Sequence, residues 1–139
     1  MEYAALSSTT QGMTMDVFEM RRRVTEDDVA QLVGWFYDRV RDDAQLGPVF
    51  GSRIEAQGWP RHLARMRDFW STVLLGAGRY RGNPMAAHQS IPGIERVHFT
   101  RWLNVFEAVV RAVLSQEVAE AILHRAHRMG ERLTASLGV

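Results

Sequence analysis

The chain has 139 residues and a mass of 15.8 kDa, 46% hydrophobic and 24% charged, which suits one domain with a core of its own. All 17 basic residues are arginine, set against 16 acidic ones, and the chain has neither lysine nor cysteine. That excludes disulfides, thiolate-held zinc or iron–sulfur clusters, a catalytic thiol, covalent or thiolate-ligated haem, Schiff-base chemistry and a P-loop.

A formal charge of +1 gives no basic field of the kind nucleic acid requires. No run reaches the roughly 20 apolar residues of a membrane helix, and the N-terminus lacks a cationic start followed by an apolar stretch. The expectation is a soluble, cytoplasmic protein with no nucleic-acid or membrane partner. Any metal has to be held by histidine, carboxylate or methionine.

Residues 1–23 differ from the rest. Ser7-Ser8-Thr9-Thr10-Gln11-Gly12 is polar and turn-rich and Arg21-Arg22-Arg23 closes the segment, so it reads as a mobile extension with at most a short helix near Asp16–Met20. The domain proper is then 24–139. Thr25-Glu26-Asp27-Asp28 has the form of a capping box and starts a helix whose stripe is Val29, Leu32, Val33, Phe36, Tyr37 and Val40. Leu46-Gly47-Pro48-Val49-Phe50-Gly51 breaks it with two glycines and a proline. A second helix is predicted over about 58–75, with Trp59, His62, Leu63, Met66, Phe69, Trp70, Val73 and Leu74 on one face. Gly76, Gly78 and Gly82 mark a loop, and Asn83-Pro84 caps a short helix that carries His88 and ends before Pro92. Long helices over about 94–114 and 116–137 complete an all-α chain with no strand pattern and no repeat.

Five histidines are the candidate ligands: His62, His88, His98, His124 and His127. His124 and His127 stand at i and i+3 without an identifiable third ligand and read as surface residues. Glu95-Arg96-Val97-His98 matches the Glu-x-x-His of di-iron bundles, but only once; Glu95 instead suits the positive end of the helix that begins there. A histidine in an apolar stripe, such as His62, is often just a hydrogen-bonded core residue. His88 is more unusual, because a short proline-bounded helix holds it. Placed on either side of a helix and a loop, His62 and His88 have room to flank a flat cofactor. Phe36, Phe50, Met66, Phe69, Trp70 and Trp102 supply apolar walls, Tyr37 and Trp102 add polar hydrogens, and Arg65 and Arg79 are cations for carboxylates. An ordinary aromatic-rich helical core fits the same periodicity.

The order of motifs adds a further signal. Phe36-Tyr37-Asp38-Arg39-Val40-Arg41, Leu46-Gly47-Pro48-Val49-Phe50, Trp59-Pro60-Arg61-His62-Leu63 leading to Phe69-Trp70, Gly78-Arg79-Tyr80-Arg81-Gly82-Asn83-Pro84-Met85 before His88, and His98-Phe99-Thr100-Arg101-Trp102 together resemble the group III truncated haemoglobins, from about residue 25 to the end. The resemblance implies a two-over-two helical sandwich around non-covalent haem b. It implies His88 as the iron ligand, Tyr37, His62 and Trp102 on the distal side, and Phe50, Met66, Phe69 and Trp70 against the ring. Arg65 falls where a base for the haem carboxylates is expected, and Phe36, Arg79, Tyr80, Met85 and His98 complete the expected haem surroundings. The function implied is reversible binding of dioxygen, nitric oxide and carbon monoxide, with a separate reductase as a partner. A haem redox enzyme (a nitric oxide dioxygenase or peroxidase-like) and a cofactor-free helical interaction or sensor module are the alternatives.

Overall fold

The computed structural model describes residues 15–80, 82, 87, 88, 91 and 93–138. Its elements are α1 (Val17–Arg23), α2 (Glu26–Asp42), α3 (Leu46–Gly51), a 3-10 turn (Ala56–Gly58), α4 (Trp59–Leu75), α5 (Arg96–Val113) and α6 (Gln116–Leu137). No strand occurs among the described residues. α2 packs on α4 and on α5, and α5 packs on α6, so two helix pairs are joined through the α2–α5 contact. This is the expected two-over-two layering.

Local chemistry sets the ends of α2. The Asp28 N–H donates to Thr25 Oγ1 and the Thr25 N–H to Asp28 Oδ2, both at 3.0 Å, a reciprocal cap that satisfies two otherwise orphaned donors. Glu26, Asp27 and Asp28 line the positive first turn, while Arg39 and Arg41 lie in the negative last turn. The apolar stripe from Val29 to Val40 is buried. Within the core, Phe106 stacks between Trp70 (4.8 Å between ring centres) and Trp102 (5.0 Å), and Phe36 meets Tyr37, Trp102 and Phe106 edge-on. These offset and edge geometries suit the ring quadrupoles.

One expectation is corrected: α3 forms where the sequence reads as a break. The Asp43 carboxylate accepts the N–H groups of Gln45 and Leu46 at 3.0 Å, and Pro48 falls in the first turn, where its missing N–H costs nothing. Gly47 is needed for another reason: a Cβ there would lie 2.9 Å from the Arg41 carbonyl oxygen. Arg101 also reaches Asp43 at 2.7 Å, tying α5 to this corner and holding the Asp43 carboxyl below its ordinary range.

Of the extension expected over residues 1–23, the short helix foreseen near Asp16–Met20 runs over Val17–Arg23. α1 is capped by Asp16, which accepts the Glu19 N–H at 2.9 Å, and packs on α4 and α6 with Met20 fully buried. Gly76 ends α4 in the left-handed region at φ 71°, where glycine is free of Cβ strain. With no side chain at Gly76, the Arg21 guanidinium of α1 packs against its α-carbon. Residues 1–14 lie outside the described residues.

Candidate haem-binding cavity

A cavity of about 600 Å³ opens where α3, α4, α5 and α6 leave the core, a size common for small-molecule and cofactor sites. α2 contributes Tyr37; α3 and the turn after it, Leu46, Val49, Phe50, Arg53 and Ile54. α4 contributes His62, Arg65, Met66, Phe69 and Trp70. Tyr80, Ala87, His88, Ile91 and Ile94 come from the chain between α4 and α5. α5 adds His98, Phe99, Trp102 and Leu103, and α6 adds Ala126, Met129, Gly130, Arg132 and Leu133.

The apolar stripes of α5 and α6 are used twice. Phe106, Val109, Val110 and Ile122 are completely covered by protein, whereas Trp102, Leu103, Met129 and Leu133 on the same helices are only half-buried. Half-covered apolar side chains grouped around one cavity mark surface that a ligand of matching character covers. Gly130 sits at the closest approach of α6 to α5, where a Cβ would lie 3.3 Å from Leu103 Cδ1.

One wall is an aromatic box around His62. Its imidazole stands perpendicular to the Tyr37 ring at 5.0 Å and to Trp59 at 5.5 Å, with Phe50 at 6.3 Å. The Arg41 guanidinium lies 4.5 Å above the Trp59 ring, a cation–π contact that backs the box. Burial, and then the Arg65 cation, push the His62 imidazole down to about 4, so it is neutral at neutral pH. Its Nε2 is buried with no hydrogen-bond partner among the described residues. Burial raises the Tyr37 phenol above its ordinary value, which keeps it a donor.

Nearby, the His88 ring lies 6.0 Å from Phe99. His98 Nδ1 accepts the Glu95 N–H at 2.9 Å, so the proton of the neutral ring belongs on Nε2. Glu95 is the N-cap of α5, in keeping with its expected place at the positive helix end. His124 and His127 are exposed, as read from the sequence. Among the described residues, no group of three or more His, Cys, Asp or Glu could hold a metal ion. A cofactor that brings most of its own metal ligands and needs one imidazole from the protein fits this donor set.

Most of the expected site residues gather here, with three exceptions. Phe36 lies behind the cavity, packed on Tyr37 and Trp102. Arg79 is absent from the lining: its guanidinium is held by Glu26 at 3.0 Å and Asp68 at 3.2 Å. Met85 and the Asn83-Pro84 cap lie outside the described residues. Sequence reasoning missed Arg53, Ile54, Arg132 and Gly130 as lining. Arg132 stands one turn beyond Met129 on α6, so helical spacing alone carried a signal for it.

The depressed His62 has a measurable consequence. Ordinary histidine protonates near 6.5, so between about pH 6.5 and 4 the unfolded chain takes up a proton that the native chain refuses. The native state is unpenalised above this window and loses about 1–2 kcal/mol across it, less than a fully buried ring would because solvent reaches part of the imidazole. Urea unfolding of the haem-free chain is expected to show this loss, and His62→Leu to flatten it. An unchanged acid slope in the variant would count against the account.

Comparison with known proteins places the chain. Residues 24–135 match the bacterial-like globin family, and the chain belongs to it. The chain is 35% identical to the group 3 truncated hemoglobin ctb of Campylobacter jejuni over 74% of its own length and 83% of that protein's. A crystal structure of group III truncated hemoglobin from Campylobacter jejuni superposes with a TM-score of 0.79 at 31% identity, covering 90% of this chain and 95% of that one. Globin membership implies haem as the bound group. No helix among the described residues is long and apolar enough to cross a membrane.

Proposed function

We propose that residues 24–139 form a haem b globin that reversibly binds dioxygen and other diatomic gases, nitric oxide and carbon monoxide among them. The observation that carries this reading is the assembly of His88, Tyr37, His62 and Trp102 around one half-covered apolar cavity.

When bound, haem supplies a ferrous iron with a coordination position open to a diatomic gas. His88 is the one protein ligand, and with no cysteine in the chain the cofactor is held by packing and polar contacts alone. Phe50, Met66, Phe69 and Trp70 exclude water from its faces. Arg65 and Arg132 stand in the lining as cations for the porphyrin carboxylates, and His98 brings a further N–H. Tyr37 supplies an O–H and Trp102 an indole N–H to a ligand atom that carries partial negative charge. The neutral His62 between Tyr37, Trp59 and Phe50 governs entry to that side.

Titration of the haem-free chain with hemin tests the reading. One equivalent is expected to bind, with an intense Soret band that stops growing at equimolar hemin. A chain that stays colourless would overturn it and favour a cofactor-free helical module.

A further inference from the structure

A connected polar network among the described residues lies mostly outside the cavity lining. Arg79 Nη2 donates to both oxygens of Glu26, at 3.0 and 3.2 Å, and its Nε to Asp68 Oδ1 at 3.2 Å. The backbone N–H groups of Arg79 and Tyr80 both donate to Thr72 Oγ1 at 3.1 Å, and that hydroxyl donates to the Asp68 carbonyl at 2.8 Å. Ser71, fully buried, donates to Glu26 Oε1 at 2.9 Å. Residues from the start of α2, the end of α4 and the chain leaving α4 thus meet at one guanidinium. The Tyr80 backbone is held by the Thr72 hydroxyl, its ring stands edge-on to Phe69 at 5.1 Å, and both residues line the cavity.

We propose that this network is a salt-sensitive latch that seats Tyr80 on Phe69 in the cavity wall, making Arg79 a positioning residue for haem that does not touch it. The inference rests on the haem reading above. The physical case has two parts. Tyr80 follows Arg79 directly and both Tyr80 and Phe69 line the cavity, so the point where the chain leaves α4 sets part of the wall a bound ring would meet. The Arg79, Glu26 and Asp68 side chains are each about half exposed, at 46%, 58% and 45%, so their attraction is modest and screened by salt. The Thr72 arm carries no charge and is insensitive to salt.

The two arms make separable predictions for hemin loss from the holoprotein to an excess of an unrelated apoglobin. Arg79→Gln is expected to lose hemin about five times faster than the wild type at low salt, the effect of two exposed ion pairs together. Raising salt from about 0.05 to about 0.5 M, which shortens the screening length several-fold, is expected to bring the wild type towards the variant's rate and leave Arg79→Gln nearly unchanged. Arg79→Lys keeps the charge and is expected to restore the salt slope. Thr72→Val, close in shape, is expected to lose hemin faster at every salt concentration while keeping the wild-type slope, and it serves as the test if Arg79→Gln folds poorly. Equal hemin loss and equal salt slopes in wild type, Arg79→Gln and Thr72→Val would overturn the latch and leave the haem reading standing. A wild-type chain that takes up no hemin would overturn both.

Discussion

His88→Ala is expected to weaken haem binding by more than about a hundredfold while leaving the helices intact. Losing a partner that merely orients a metal ligand typically costs about 10- to 100-fold in affinity, and removing the imidazole proposed to hold the iron costs more. The fold should survive because His88 is half-buried and packs on Phe99 at the cavity, away from the Phe106 core. Competition for hemin and far-ultraviolet circular dichroism check both parts, and added imidazole is expected to recover part of the lost binding by filling the space. Retention of hemin with an unaltered Soret band would remove His88 from its role.

Tyr37→Phe and Trp102→Phe are each expected to speed dioxygen release by about ten- to a hundredfold, with little effect on carbon monoxide. A hydrogen bond to a charged group contributes about 1.5–3 kcal/mol, or one to two decades in a dissociation rate if fully expressed. Dioxygen at a ferrous iron carries more negative charge than carbon monoxide, so it gains more from a donor. Phenylalanine at 37 keeps the ring against His62 and Phe50 and isolates the donor, whereas at 102 it keeps a ring on Phe106 but also removes part of the indole, so the carbon monoxide rate serves as the packing control there. The Tyr37 effect is expected to stay constant across the neutral range, since burial keeps the phenol protonated there. Flash photolysis and stopped-flow displacement measure the rates. Equal acceleration for both gases would point to altered packing instead of lost hydrogen bonds.

Local patterns were legible in the sequence, and the structure follows them closely. The Thr25–Asp28 cap, the stripe of α2 and the near ends of α4, α5 and α6 follow from spacing and end chemistry. Features that depend on distant partners were not. Gly47 and Pro48 read as a break because the Asp43 carboxylate that caps α3 makes a contact no periodicity reports. Met20 stands directly before three arginines, and its burial depends on α4 and α6 coming together beneath it.

The same holds for the site. His88 and Tyr37 stood out by residue type and position, but a core stripe and a cavity wall have the same spacing. Nothing in the pattern separates Phe106, which is buried in protein, from Leu103, which faces the cavity. Arg79 could be seen to be a cation in a glycine-rich loop, but not that Glu26, 53 residues earlier, would claim it.

Whether this chain is a haem globin held through His88 is decided by the absorbance spectrum of the reduced protein under inert gas, before and after carbon monoxide. A coloured ferrous protein is expected, with a Soret band that sharpens and shifts to that of a histidine-held carbonyl haem on adding the gas and returns when the gas is removed. A colourless protein, or a ferrous spectrum that carbon monoxide leaves unchanged, would rule the haem reading out.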